Sequence, residues 1–213
     1  KSDKHTPKQR MWYIRAKQVV ISSGSIERPI VFGNNDTPGV VLASAAKEYM
    51  KVYGVLVGKK PVIFTNNDSA YETAIEFKKN NINPVVLDSR KNPQSEIIKE
   101  ALSLGIEVKF SHVVVAAKGY KKVKSCDIAM ISDNKENLID ITNIKCDCIC
   151  VSGFWTPTIH LASQSGSKTK FVEDIDAFIP DKSKQKEITL GSANGVFTLD
   201  ETLKTSFQKG YEL

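Results

Sequence analysis

Two rhythms of apolar residues alternate along this chain, one with the two-residue period of strands and one recurring every three or four positions as in helices. RMWYIRAKQVVISSG, Arg10 to Gly24, predicts two β segments ending in a turn of small residues. ASAAKEYMKVYG, Ala43 to Gly54, predicts a helix that stops at a glycine. PVIFTNNDSAYETA, Pro61 to Ala74, runs from an apolar strand through a tight turn into a helix. A strand PVVLDSR (Pro84 to Arg90), a helix SEIIKEALSLG (Ser95 to Gly105) and a strand IEVKFSHVVVAAKG (Ile106 to Gly119) follow, the last leading into hairpins through about Asp140. CDCICVSGFWTP, from Cys146, adds a buried strand ending at Ser152-Gly153, and ITLGSANGVFTLDETLKTSFQKG, from Ile188, places a turn of small residues after a strand. Strand, helix, strand, helix, strand in this order implies an α/β fold with a parallel sheet and right-handed crossovers.

The turn after Pro61–Thr65 carries the first chemical question. A dinucleotide-binding turn uses one glycine for the bend, a second for close approach to the pyrophosphate, and a third small residue for packing of helix on strand. Here those positions are Thr65, Asn67 and Ala70, so only the packing position is met. Asp88 closes the next strand about twenty residues on, the spacing at which an acid bonds a ribose hydroxyl, and Arg90 follows it. Asp68 and Ser69 read as capping residues of the helix, with their backbone N–H groups available to an anion. Asp68, Ser69 and Asp88 are the candidate cofactor contacts of this turn, although side chains at Thr65 and Asn67 would crowd a pyrophosphate.

NNDSAYETA resembles the glycine-rich element that opens the pyridine-nucleotide domain of two-dinucleotide-domain flavoproteins, with the glycines replaced. VVISSGSIERP and CICVSGFWTP resemble the two segments that join the inserted second domain to the first in that superfamily. The longer stretch from Gly24 to Tyr71, together with VSGFWTPTIHLASQSG, resembles the alpha subunit of heterotetrameric sarcosine oxidase, and the likeness runs from Arg10 to about Gly210. The resemblance implies two Rossmann-like dinucleotide-binding domains. Residues 1–43 and 146–213 would form the distal part of an FAD-like first domain, and residues 44–145 an inserted NAD-type domain. Alpha subunits of that family are much longer, so the chain is expected to be an internal piece, with a first glycine fingerprint before Lys1 and a folate-binding domain after Leu213.

What the resemblance implies about activity is a complex that oxidises sarcosine to glycine with oxygen, releasing hydrogen peroxide and passing a one-carbon unit to tetrahydrofolate. Amine oxidation would take place on FAD of a partner subunit, FMN would lie between subunits, and NAD would be bound by the alpha subunit without carrying hydride. No catalytic residue is expected in the chain itself. In the resembling flavoproteins a strand ends in Gly-Asp, the acid facing FAD, whereas Gly191 is followed by Ser192. NAD on the first domain is therefore expected to touch Ser23 and Gly24, the small residues Gly191, Ser192, Ala193, Asn194 and Gly195, and Leu199. Two other readings stay open: an NAD(P)H-dependent flavin reductase, and a non-catalytic subunit scaffold of a related complex oxidising amino acids or opines.

Composition narrows the classes. With 213 residues, 41% of them hydrophobic, the chain can bury one large core or two modest ones. Its net charge of +6 is spread over small lysine clusters without interleaved aromatics, which argues against a nucleic-acid partner. No apolar run approaches the roughly 20 residues of a membrane span, and Lys1–His5 is no signal-peptide start, so a soluble cytoplasmic protein is expected. Cys146, Cys148 and Cys150 would share one face of a strand as small buried side chains, too strand-like for a zinc loop. His112 and His160 read as structural histidines, Trp155 as a core or interface aromatic, and Asn34-Asn35-Asp36 as a turn.

Overall fold

The computed structural model describes residues 9–132, 134 and 137–212, and Lys1–His5 lies outside them. In chain order the strands and helices begin with β1 (Val19–Ile21), β2 (Ser25–Glu27), β3 (Val40–Leu42), α1 (Ala43–Tyr53), β4 (Pro61–Thr65), α2 (Ser69–Lys79) and β5 (Val85–Asp88). They continue with α3 (Glu96–Ser103), β6 (Glu107–Phe110), β7 (His112–Lys118), β8 (Ser125–Ile131), β9 (Leu138–Lys145) and β10 (Cys148–Ser152). The last are β11 (Trp155–Pro157), α4 (His160–Gln164), β12 (Thr169–Val172), β13 (Ala177–Pro180), β14 (Glu187–Thr189) and α5 (Leu199–Tyr211).

Contacts divide the chain into two compact units. One is continuous, Ile26–Trp155, and is called the sheet unit. The other joins the residues up to Ser25 with those from Thr156 onward, and is called the split unit. The expected insertion, residues 44–145, is shorter than this continuous unit. Residues 26–43 and 146–155 fall within it because β3 and β10 hydrogen-bond into the same sheet as β4.

In the sheet unit five parallel strands stand in the order β3-β10-β4-β5-β6. Both β4 and β10 are buried along their whole length, which is why each reads as an unbroken apolar run rather than an alternating one. Their side chains still alternate between two cores. Ile63, Val86, Cys148 and Cys150 pack with α1, α2 and α3 on one face. Val62, Phe64, Leu87, Ile149 and Val151 pack on the other face against the antiparallel meander β7-β8-β9. α1 buries Ala43, Ala46 and Met50, a helical repeat, and ends at Gly54 with φ 63°, the left-handed stop expected from the sequence. Its N-terminus is held by buried Glu27, whose carboxylate accepts from the Ser44 N–H at 2.9 Å and the Ser44 hydroxyl at 2.6 Å.

Three local expectations are corrected. The run Ile106–Gly119 is not one strand, because Ser111 takes φ 54° and turns the chain from the parallel sheet (β6) into the meander (β7). Cys146 does not share a face with Cys148 and Cys150. It precedes β10 and joins Cys126 in the core on the meander side, while all four cysteines are buried and free. Arg10–Gly24 forms one short strand, β1, instead of two. Residues 11–14 have no strand partner among the described residues, and their side chains are exposed. A strand that pairs with nothing leaves its backbone donors and acceptors to water, so propensity alone does not hold it.

In the split unit β1 and β14 pair in parallel, Val19 with Glu187 and Ile21 with Thr189. β12 and β13 form a hairpin in which Phe171 and Phe178 meet edge to face, ring centres 5.2 Å apart.

Phe77 is fully buried on α2 among the helix-side core residues. Phe77→Ala is expected to lower unfolding free energy by about 3–5 kcal/mol in chemical denaturation, since the lost packing comes with a cavity that close-packed neighbours cannot fill.

Candidate functional site

The C-terminal ends of β10, β4 and β5 lie side by side in the sheet unit, Ser152 paired with Thr65 and Thr65 with Asp88. In open α/β sheets this is the edge at which a ligand is bound, and α2 begins just beyond it. The turn between β4 and α2 is closed by its own side chains. Thr65, fully buried, accepts from the Asn67 N–H and donates to the Asn67 carbonyl, both at 3.0 Å. Asn67 is 5% exposed. Its Nδ2 lies 3.1 Å from the Ser152 carbonyl, the Ser152 hydroxyl and Asn66 Oδ1. Its Oδ1 accepts from the Ser69 N–H at 3.0 Å and the Ser69 hydroxyl at 2.6 Å. The Trp155 indole N–H donates to the Ser69 hydroxyl at 3.0 Å.

Asn67, rather than Asp68, thus supplies the side-chain cap of α2. Asp68 faces Arg90, with Nη2 2.8 Å from Oδ1. The same guanidinium lies on Asp88, with Nε 3.0 Å from Oδ1 and Nη2 2.8 Å from Oδ2, and the Arg90 N–H adds a bond of 2.9 Å. The Tyr71 hydroxyl donates to Asp88 Oδ2 at 2.8 Å. Asp88 is fully buried, so the acid that its spacing marks for a ribose is surrounded by donors from its own chain. Burial works against the charge of Arg90, but the bonds to Asp88 and Asp68 outweigh it and hold the guanidinium firmly protonated. Burial, and then the neighbouring Asp88 carboxylate, pushes the Tyr71 phenol far above its ordinary value.

Gly153, just past β10, is needed for close approach. A Cβ there would stand 3.1 Å from the carbonyl oxygens of Arg28 and Pro29, and the chain at this point exchanges bonds with Arg28. His112 Nδ1 lies 2.6 Å from the Phe110 carbonyl and His160 is exposed, so neither joins the crevice.

The second group of candidates lies in the split unit. Because β1 and β14 run parallel, Ser23-Gly24 and Gly191–Gly195 emerge at the same end of the ladder. Leu190 N–H donates to the Ile21 carbonyl at 2.9 Å, and the Ser23 hydroxyl donates to the Thr158 carbonyl at 2.7 Å. Gly24 has φ 77° and nothing within 4 Å of where a Cβ would be. Gly191 and Gly195 have φ 65° and 79° and bound a single 3₁₀ turn, Gly191–Asn194. Ser192 and Asn194 are half-buried, and Leu199, which opens α5, is exposed. Ala193 is fully buried within this turn. Asp200 and Glu201 occupy the first turn of α5, where Thr198 bonds Glu201 at 3.0 Å. Those carboxylates suit ribose hydroxyls, which donate, better than a pyrophosphate.

No protein-family model matches the chain. It is 34% identical over 205 residues to the sarcosine oxidase subunit alpha of Corynebacterium sp. (strain P-1), covering 95% of this chain and 21% of that protein. It is 33% identical over 199 residues to the sarcosine oxidase subunit alpha of Corynebacterium sp. (strain U-96), covering 93% and 20%. The chain spans about a fifth of the length of the curated relatives it matches. Among solved structures, the L-proline dehydrogenase of P. horikoshii superposes with a TM-score of 0.59 at 25% identity, over 84% of this chain and 30% of that one. The thioredoxin reductase of T. acidophilum superposes with a TM-score of 0.69 at 16% identity, over 88% and 61%. The fold is mixed α/β and Rossmann-like, with a parallel sheet in the continuous unit Ile26–Trp155.

The raised Tyr71 value has a direction in stability. The unfolded phenol ionises near the ordinary value of about 10 while the folded one stays protonated, so this contribution is complete below about pH 10 and is lost as pH rises further. In an alkaline titration followed by phenolate absorbance, Tyr71 is expected to ionise only with unfolding. Tyr71→Phe should leave the remaining phenolate signal in place and flatten the loss of stability above pH 10.

Proposed function

We propose, from the premise that the chain is similar along nearly its whole length to a fifth of the sarcosine oxidase alpha subunit, that it is the nucleotide-binding part of such a subunit. The complex would convert sarcosine, tetrahydrofolate and oxygen to glycine, methylenetetrahydrofolate and hydrogen peroxide, with amine oxidation on a partner subunit. The observation that carries the proposal is 34% identity sustained over 95% of the chain, through both units rather than one motif. FAD and FMN belong to the assembled complex in this reading, and tetrahydrofolate to a region outside this sequence.

NAD in the split unit would lie at the common end of β1 and β14. Gly24, with open space beside it, would allow close backbone approach there, the turn from Gly191 to Gly195 stands at the same end, and Ser23, Ser192 and Asn194 offer hydroxyl and amide groups. Leu199 would give an apolar contact at the start of α5. Bound there, the nucleotide would order the strand ends, and the carboxylates of Asp200 and Glu201 would accept from its ribose hydroxyls. Of the other two readings, the scaffold is supported over the NAD(P)H-dependent reductase by the bonds that fill the turn after β4.

Two measurements test the proposal. The chain alone is expected to give no sarcosine-dependent peroxide, whereas the co-expressed full-length complex gives it, and turnover by the isolated chain would defeat the assignment of chemistry to a partner. Gly24→Asn tests the nucleotide. Asparagine tolerates the left-handed conformation, and the space at Gly24 is open, so stability should change by less than about 1 kcal/mol. Nucleotide released from the purified complex should fall several-fold, and unchanged content would remove NAD from this place. Ala193→Leu does not discriminate, because overpacking a fully buried methyl costs about 1–3 kcal/mol whether or not a ligand is near.

A further inference from the structure

We infer that the dinucleotide crevice of the sheet unit is permanently filled by residues of the chain itself and takes no pyridine nucleotide. This goes beyond the placement of NAD in the split unit and stands on different residues. A dinucleotide at such a crevice needs backbone donors for its pyrophosphate and an acceptor for its ribose. Three of the turn's backbone donors are taken: Asn67 N–H by the Thr65 hydroxyl, Ser69 N–H by the Asn67 carboxamide, and Tyr71 N–H by the Asp68 carbonyl at 3.1 Å. The acceptor is consumed as well, since Asp88 receives the Tyr71 hydroxyl, the Arg90 N–H and the Arg90 guanidinium.

Arg90 also reaches Asp68, so one side chain spans from the end of β5 to the start of α2, across the place where the two halves of a dinucleotide would meet. Neither Thr65 nor Asn67 has positive φ, so the turn has settled into a conformation that needs no glycine. A nucleotide entering would have to break the pair of buried Asp88 with half-buried Arg90 and the Asn67 bonds to Ser152 together. Removing one of these residues would still leave the other in place, so the closure does not depend on a single side chain.

The test uses the full-length protein with NADH as the probe. Trp155 donates to Ser69 at the rim of the crevice, so NADH bound there would alter its fluorescence. Titration of the wild type to about 1 mM NADH, the weak end of specific binding, should give no saturable change that depends on Trp155. A saturable change that Trp155→Phe abolishes would overturn the inference. Asn67→Gly and Arg90→Gln should lower the melting temperature while leaving nucleotide per mole of complex at the wild-type amount. Loss of nucleotide at an unchanged melting temperature would make those residues ligands and overturn it too. Because the titration uses the wild type, a variant that fails to fold does not leave the question open. Failure here would not touch the split unit, whose nucleotide is read by Gly24→Asn.

Discussion

The position of β10 between β3 and β4 is the constraint from which the rest of the sheet unit follows. A strand buried on both faces must supply apolar side chains in both directions, and Cys148 and Cys150 face the helices while Ile149 and Val151 face the meander. The same placement brings Ser152 beside Thr65, and this neighbour gives the Asn67 carboxamide somewhere to bond. Without β10 beside β4, the Asn67 amide would lose both of its bonds to Ser152, and burying a less fully paired amide would be costly.

The closed crevice is better understood as a set of exchanges than as a simple loss of glycines. Where a glycine would leave room for a phosphate, Asn67 provides an oxygen that caps Ser69 and an amide that ties α2 to β10. Where an acid would await a ribose, Arg90 neutralises it. Each exchange satisfies internally a polar group that a ligand would otherwise have to satisfy, so the fold keeps its geometry at this edge while its chemistry is spent on itself. The cysteines follow the same inward logic. Cys126 is pushed up, first by its bond with Cys146 and then by burial, while that bond lowers Cys146. Bonding to Cys148 and burial raise Cys150.

Much of the fold was legible because period and punctuation agree with it: the runs at Pro61–Thr65 and Cys148–Ser152 are apolar where both faces are covered, and Gly54 stops α1 where its pattern ends. What could not be read depended on partners distant in sequence. Nothing local to Ser111 announces a left-handed residue, since serine has no marked taste for it, and the break is fixed by bonds of its backbone to Arg90 and Ile131. At the candidate site the broken glycine pattern and the spacing of Asp88 were both visible. That Arg90 would fold back on two carboxylates was not, because spacing places a residue and says nothing of where a long side chain turns. Ala193 illustrates the same limit: small residues suggest close approach, but only packing decides whether a ligand or the core makes it.

β10, inserted between β3 and β4, is also the last strand of the parallel sheet in the chain, and this bears on how the protein is made. β3 ends at Leu42 and β10 begins at Cys148, so a ribosome must deliver more than a hundred further residues before β3 receives its neighbour. Contacts of such separation in sequence form slowly, because the intervening loop must be closed before they give anything back. Until then β4 keeps a bare edge beside an apolar face, the kind of surface on which nascent chains associate wrongly. The split unit waits longer still, for β1 at Val19–Ile21 pairs with β14 at Glu187–Thr189. Holding both edges apart from other chains during synthesis is a demand that this topology places on the cell and not on the finished protein.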